Sequence, residues 1–276
     1  YRRVVELIQS GAIGPVREAH VWVDQAIEGP VERPQETVPV PPNLHWDLWL
    51  GPAPVRPYHP CYFTKRSLSW QNWWDFGNGA LGDMGSHTID LPFWALELQA
   101  PTTVEAEGPL PVRAETYPDH LIVRWEHPAR GNRPPVKLTW YNGGPKPPKE
   151  VLLGYPMTDW GCLVAGPGGA IFSSCPWNTR FLLLPEAKFA QFQGPAPTLP
   201  RVPGHHAEWI KACKDGSPTT CNFDYSGALT EAVLLGNVAY RTGQKLQWDA
   251  QQLRAANCPA ADKYIRKEYR AGWEVA

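Results

Sequence analysis

Hydrophobic and polar residues change their period several times along this chain, and each change predicts an element. Val4, Val5, Leu7 and Ile8 share one face of a helix that stops at Gly11, with Gly14-Pro15 as the turn out of it. From Val16 to Asp24 the period falls to two. Val21 and Val23 take one face, and His20, Trp22 and Asp24 the other, which predicts a strand whose polar side faces a site. Residues 25–80 keep no steady period and read as irregular. A helix is predicted from about Asp83 to Leu98. Strands are predicted at 102–107, 119–126, 135–142, 160–165, 168–173 and 179–184, separated by Pro and Gly turns in the manner of an antiparallel meander. His205 to Lys214 and Tyr225 to Thr242 read as helices, the second closed by Gly243, and Lys245 to Trp248 as a last strand.

Strands grouped in the middle, with helices at the ends, predict an α+β fold: a large, mostly antiparallel open sheet with helices on one face. Repeated strand-helix alternation is missing, so a Rossmann domain is not expected. The apolar surface formed by Leu229, Ala232, Val233, Leu235 and Gly236 on the Tyr225–Thr242 helix is a candidate contact for a second copy.

Composition narrows the partners. Twenty-six basic and 27 acidic side chains nearly cancel, which argues against nucleic acid and anionic membranes. The six cysteines form no C-x-x-C pair and suit free thiols in a reducing compartment. Tyr1-Arg2-Arg3 leads into an amphipathic pattern, and a cytoplasmic protein is expected. Thirty-one prolines mark stiff loops. Among the 14 tryptophans, Trp46, Trp49, Trp73 and Trp74 are crowded into one stretch; with Trp22 and Arg56 they are candidates for the wall of a carbohydrate-like substrate site.

Chemistry concentrates at Gly82-Asp83-Met84-Gly85-Ser86-His87. Four residues apart on a helix, Asp83 and His87 point from one face, with Asp90 and Trp94 continuing the stripe. Such a pair can move a proton, the carboxylate fixing the imidazole tautomer. With His20, Asp24 and His45 it can instead be drawn as a zinc or manganese site that activates water. Gly166-Pro167-Gly168-Gly169 lies between strands and reads as a hairpin turn, not a phosphate cradle.

Three blocks carry a family resemblance. His45-Trp46-Asp47-Leu48-Trp49-Leu50-Gly51-Pro52, the run Trp73-Trp74-Asp75-Phe76-Gly77 leading into Gly79 to His87, and Asn222-Phe223-Asp224-Tyr225 with Glu231 to Asn237 resemble the glucose-fructose oxidoreductase / inositol dehydrogenase (Gfo/Idh/MocA) family. The resemblance implies a C-terminal α+β substrate domain spanning 1–276, with 1–14 the remnant of an inter-domain helix. It also implies that Asp83 and His87 form the family's D-x-x-x-H pair, His87 as acid/base and Asp83 as its assistant, and that the sheet face joins subunits into a homo-oligomer. Two family features, a G-x-G-x-x-G after a strand and an E-K-P segment, are absent from the sequence.

Hydride transfer needs a nicotinamide ring aimed at the substrate carbon. On that ground NAD(P) is not expected to bind this chain alone, and the first expectation is a cofactor-independent, metal-assisted hydrolase acting on glycosides or similar small substrates. Two alternatives stand beside it: the substrate domain of an NAD(P)-dependent sugar oxidoreductase, and a non-catalytic carbohydrate-binding or oligomerisation module.

Overall fold

The computed structural model describes residues 1–25, 30–63, 69–175 and 177–274. The amphipathic start forms α1 (Arg2–Gln9), and a turn through Gly11 and Gly14 delivers the chain into β1 (Glu18–Val23). A long excursion follows, broken by the short α2 (Trp46–Leu50) and two single-turn 3-10 helices. It ends at α3 (Gly79–Thr88) and α4 (Asp90–Ala95).

Next come β2 (Thr103–Glu107), β3 (Leu121–His127), β4 (Val136–Asn142), β5 (Gly161–Gly166), β6 (Gly169–Ser173) and β7 (Leu182–Leu184). The last part holds α5 (Glu186–Phe189), α6 (His205–Asp215), α7 (Phe223–Thr242), β8 (Leu246–Asp249), β9 (Arg254–Ala255) and α8 (Asp262–Ile265). The strands make one open sheet in the order β7-β6-β5-β1-β4-β3-β2-β8-β9. Every pairing is antiparallel except β1 with β4, so the expected α+β class holds.

Alternation along the strands decides which face is dry. Ala19, Val21 and Val23 of β1, Leu121, Val123 and Trp125 of β3, and Leu138 and Trp140 of β4 share the main core. The helices contribute Val4 and Val5 of α1, Leu81 and Met84 of α3, and Val233 and Leu235 of α7 to that same core. They therefore cover the Val21 and Val23 side of the sheet. The apolar face of α7 is spent inside the chain, where Leu229, Ala232, Val233, Leu235 and Gly236 are all buried. Its ends follow the sequence signals: the Asn222 side chain accepts the Tyr225 N–H at 3.0 Å, and Gly243 closes the helix at φ +64°.

The opposite sheet face divides in two. On the β1–β5–β6–β7 side Trp22 stacks on Phe172 at 5.7 Å, and Leu152 of the connecting loop helps bury Leu163 and Leu184 beside them. The β2–β3–β4 side is open and charged, with ion pairs from Arg124 to Glu107 at 3.2 Å and from Lys245 to Glu126 at 3.1 Å.

Two expectations change. The helix drawn from Asp83 to Leu98 begins earlier, at Gly79, and is divided at Ile89; Pro92 is accommodated in the first turn of α4, where its missing N–H removes no bond. The polar side of β1 does not turn toward the helices. His20 and Trp22 lie across the sheet from α3. Among the described residues no helix is long and apolar enough to cross a membrane.

Candidate functional site

The placement of α3 begins with a tight fit. Gly79, its first residue, has φ +60°, and a Cβ there would lie 2.0 Å from the ring of Tyr117. Tyr117 is fully buried; its hydroxyl donates to Asn142 Oδ1 at 2.9 Å and accepts from the Leu81 N–H at 3.3 Å. Further along, Gly85 lets α3 close on α7, since a Cβ there would meet Val233 at 2.9 Å. With its inner face locked, α3 turns Ser86 and His87 to solvent and leaves Asp83 half-buried.

Asp83 and His87 share that outer region one turn apart, and no hydrogen bond or ion pair joins their side chains to each other. The imidazole of His87 meets the indole of Trp177 nearly at right angles, with ring centroids 5.0 Å apart. Its carbonyl accepts the Tyr1 hydroxyl at 2.5 Å, and Asn178 Nδ2 donates to that hydroxyl at 3.2 Å. Next to it Asp90 accepts a hydrogen bond from the Tyr225 hydroxyl. Burial raises the Asp90 carboxyl above its ordinary range, against the opposing pull of the Tyr225 bond and His87. Burial likewise raises the Tyr1 and Tyr225 phenols, with Asp90 adding to both, so they are hydrogen-bonding groups at neutral pH and not bases. Trp94 of the same stripe lies under the Arg2 guanidinium at 5.7 Å. Trp177 and Asn178 escaped sequence reasoning because they sit on a loop with no local motif.

The other sequence-derived candidates are elsewhere. Trp46 stacks on Trp49 at 4.8 Å and uses its N–H on the Arg56 carbonyl at 2.8 Å. Trp73 packs edge-on against Tyr62 at 5.0 Å, and both belong to the same small core. Buried Arg56 lies over Phe76 and pairs with Asp75, with Glu115 at 4.0 Å. Trp74 donates to the Arg113 carbonyl at 3.1 Å, with the Arg241 guanidinium over its ring. These side chains brace the loops leading into α3. Trp22 is buried on the far sheet face and donates to the Thr158 carbonyl at 2.8 Å.

The metal expectation is corrected by the same geometry. His20 lies on that far face, with Nδ1 3.1 Å from the Tyr141 hydroxyl and Nε2 2.9 Å from Glu18; burial lowers its pKa. Asp24 is exposed beyond the end of β1, and His45 is exposed at the start of α2. Among the described residues no three His, Cys, Asp or Glu side chains come together to hold a zinc or manganese ion.

A cavity of about 560 Å³ lies at the far end of α1 and α4, lined by residues including Gly11, Leu96, His127, Arg130 and Arg133. Its arginines are engaged with the chain end of α4: Arg133 donates to the Leu96 carbonyl at 3.1 Å, and Arg130 to that of Glu97. Neither Asp83 nor His87 borders it. The glycines at 166–169 form the β5–β6 turn, as expected, and the chain continues into a strand.

Residues 22–125 match the model of the Gfo/Idh/MocA oxidoreductase family, C-terminal alpha/beta domain. No curated protein matches the sequence. Among solved structures, an NAD-binding protein from Listeria innocua aligns at 12% identity and a TM-score of 0.52, covering 90% of this chain and 63% of its own. The WlbA dehydrogenase from Bordetella pertussis, solved with NADH and UDP-GlcNAcA, aligns at 14% identity and a TM-score of 0.53, covering 90% of this chain and 59% of its own. The chain thus spans about six-tenths of the length of these structures, and at such identity they establish the fold. The matched segment contains both Asp83 and His87. Its family is one of oxidoreductases, which overturns the expected hydrolase of glycosidase type. The cofactor expectation changes with it: a divalent metal has no support, and one of the structural neighbours was solved with NADH.

Proposed function

We propose that this chain, whose residues 22–125 match the C-terminal alpha/beta domain of the Gfo/Idh/MocA oxidoreductases, is the substrate side of an NAD(P)-dependent oxidoreductase acting on a sugar-like hydroxyl. One observation carries the reading: the matched segment presents Asp83 and His87 one turn apart on the solvent side of a helix whose inner side is locked into the core. A nicotinamide dinucleotide, when bound, accepts the hydride. The roles assigned to this chain are confined to the substrate. His87 takes the hydroxyl proton at a ring nitrogen; Asp83, one turn earlier, steadies the imidazolium that results. Tyr1 and Asn178 hold the backbone of His87 in place.

The test is reduction of NAD⁺ or NADP⁺ by the full-length protein that carries this chain, with a panel of aldoses, polyols and nucleotide sugars, repeated with His87→Gln. Loss of a proton-transfer group lowers kcat by about 10²-fold or more, while substrate affinity stays close to wild type. Turnover that ignores the substitution removes His87 from the mechanism.

The same reading treats residues 1–276 as one substrate-side domain, with 1–14 as its entry. It pairs two copies through the open β2–β3–β4 face, where Glu107, Arg124, Glu126 and Lys245 supply mixed charge. Light scattering is expected to show a dimer that weakens with salt; a monomer at low salt contradicts it. The six cysteines, three of them buried, suit the reducing cytoplasm, and fractionation of cells checks that assignment.

A further inference from the structure

Most of the large aromatic rings on this chain are used up in packing, and Trp177 is an exception. Its side chain is 55% exposed, and among the described residues its only ring contact is with His87. Its position is not left to chance. Asn178, the next residue, is buried and left-handed at φ +49°, a conformation asparagine tolerates better than most residues. The Asn178 N–H closes a turn onto the Cys175 carbonyl at 2.9 Å, and the Cys175 sulfur lies 3.3 Å from the Thr179 hydroxyl. The Asn178 amide then donates to Tyr1, and Tyr1 to the carbonyl of His87. One short chain of hydrogen bonds therefore ties the residue next to the indole to the backbone of the imidazole.

The two rings stand 85° apart, so they form the walls of a corner. A saturated six-membered sugar ring has a face of axial C–H bonds and a rim of equatorial hydroxyls. Laid flat on the indole, it covers apolar surface with apolar surface and directs its rim toward the imidazole. An open-chain polyol has no such face. It loses rotational freedom on lying flat and gains less contact.

We propose that Trp177 is the stacking and specificity-determining residue of the His87 site, and that the substrate presents a pyranose-type ring and not an acyclic polyol. The proposal rests on the oxidoreductase reading for the identity of the site, but its test requires no coenzyme. Saturation-transfer NMR with the wild-type protein is run against methyl glucopyranosides and an acyclic hexitol, then repeated with Trp177→Phe and Trp177→Ala. The His87 ring proton resonance is followed in the same samples.

Transfer is expected at ring C–H protons of the pyranosides. Affinity should drop about tenfold in Trp177→Ala and less in Trp177→Phe, and the pyranoside concentration that shifts the His87 resonance should rise in the same order. Because the side chain is exposed, circular dichroism of both variants is expected to match the wild type. The proposal is overturned if no pyranoside binds the wild type, if Trp177→Ala binds as well as wild type, or if the hexitol suffers an equal loss. Pyranoside binding that depends on Trp177, with no coenzyme reduction by the full-length protein that carries this chain, would sink the oxidoreductase reading alone.

Discussion

Replacing Gly79 by alanine tests how α3, and with it the candidate site, is positioned. Two costs combine at this residue. The backbone sits at φ +60°, where a side chain costs about 1–2 kcal/mol. The new Cβ would also lie 2.0 Å from Tyr117 Cγ and 2.1 Å from Cδ2, atoms of a ring with no exposed surface and a hydroxyl fixed at both ends. Forcing a methyl into such a core typically costs a further ~1–3 kcal/mol. The sum is about 2–5 kcal/mol, a large part of the stability of an ordinary domain. Gly243→Ala separates the terms, since its φ is +64° and nothing lies within 4 Å of the added carbon. That control should lose only the backbone part, about 1–2 kcal/mol. Urea unfolding followed by circular dichroism gives both values, with the slope checked for constancy. Equal losses in the two variants would refute the claim that contact with Tyr117 sets the start of α3.

Three further outcomes follow from the structure. Glu6 is buried in α1, accepts the Thr198 and Leu199 N–H groups at 2.9 Å each and pairs with Arg201 at 3.1 Å; against the cost of burial, these partners hold its carboxyl down to about 2. Its stabilisation should be complete above the ordinary glutamate value near 4.5 and fade as pH falls toward 2; acid titration of Glu6→Gln should lack that step. Burial lowers the pKa of His127 to about 4 while its Nδ1 bonds the Gln99 carbonyl at 2.8 Å, so stability should decline as pH falls from about 6.5 to 4, and His127→Asn should flatten that window. Arg270 fastens the C-terminal segment to α2 through the Gly51 carbonyl at 2.9 Å and the Asp47 carbonyl at 3.2 Å; Arg270→Ala should speed hydrogen exchange at residues 266–274 while β3 and β4 exchange as before.

The sheet was readable because each strand buries one face, as the alternation at Leu121, Val123 and Trp125 shows. Period alone does not say which face the helices cover. His20 and Trp22 lie across the sheet from α3, so the ligand set expected around His87 does not assemble. The start of α3 was hidden by Gly79, whose left-handed backbone is a stop signal in most settings, and α2 by the prolines around its five residues. Asp83 and His87 were legible from spacing within one helix. Trp177 was not, since its partner lies ninety residues earlier and only the fold brings the two rings together. The crowding of tryptophans between 46 and 74 has a packing cause: Trp46, Trp49 and Trp73 share a small local core, and Trp74 packs against the main one.

The central claim is that His87 serves an oxidation in which this chain holds the sugar. It is tested most directly by supplying a pyranoside deuterated at the reacting carbon and examining the nicotinamide product by NMR. The account predicts deuterium at C4 of the reduced coenzyme and an oxidised sugar, both lost with His87→Gln. Unlabelled coenzyme, or a hydrolysed glycoside with the coenzyme untouched, would contradict it.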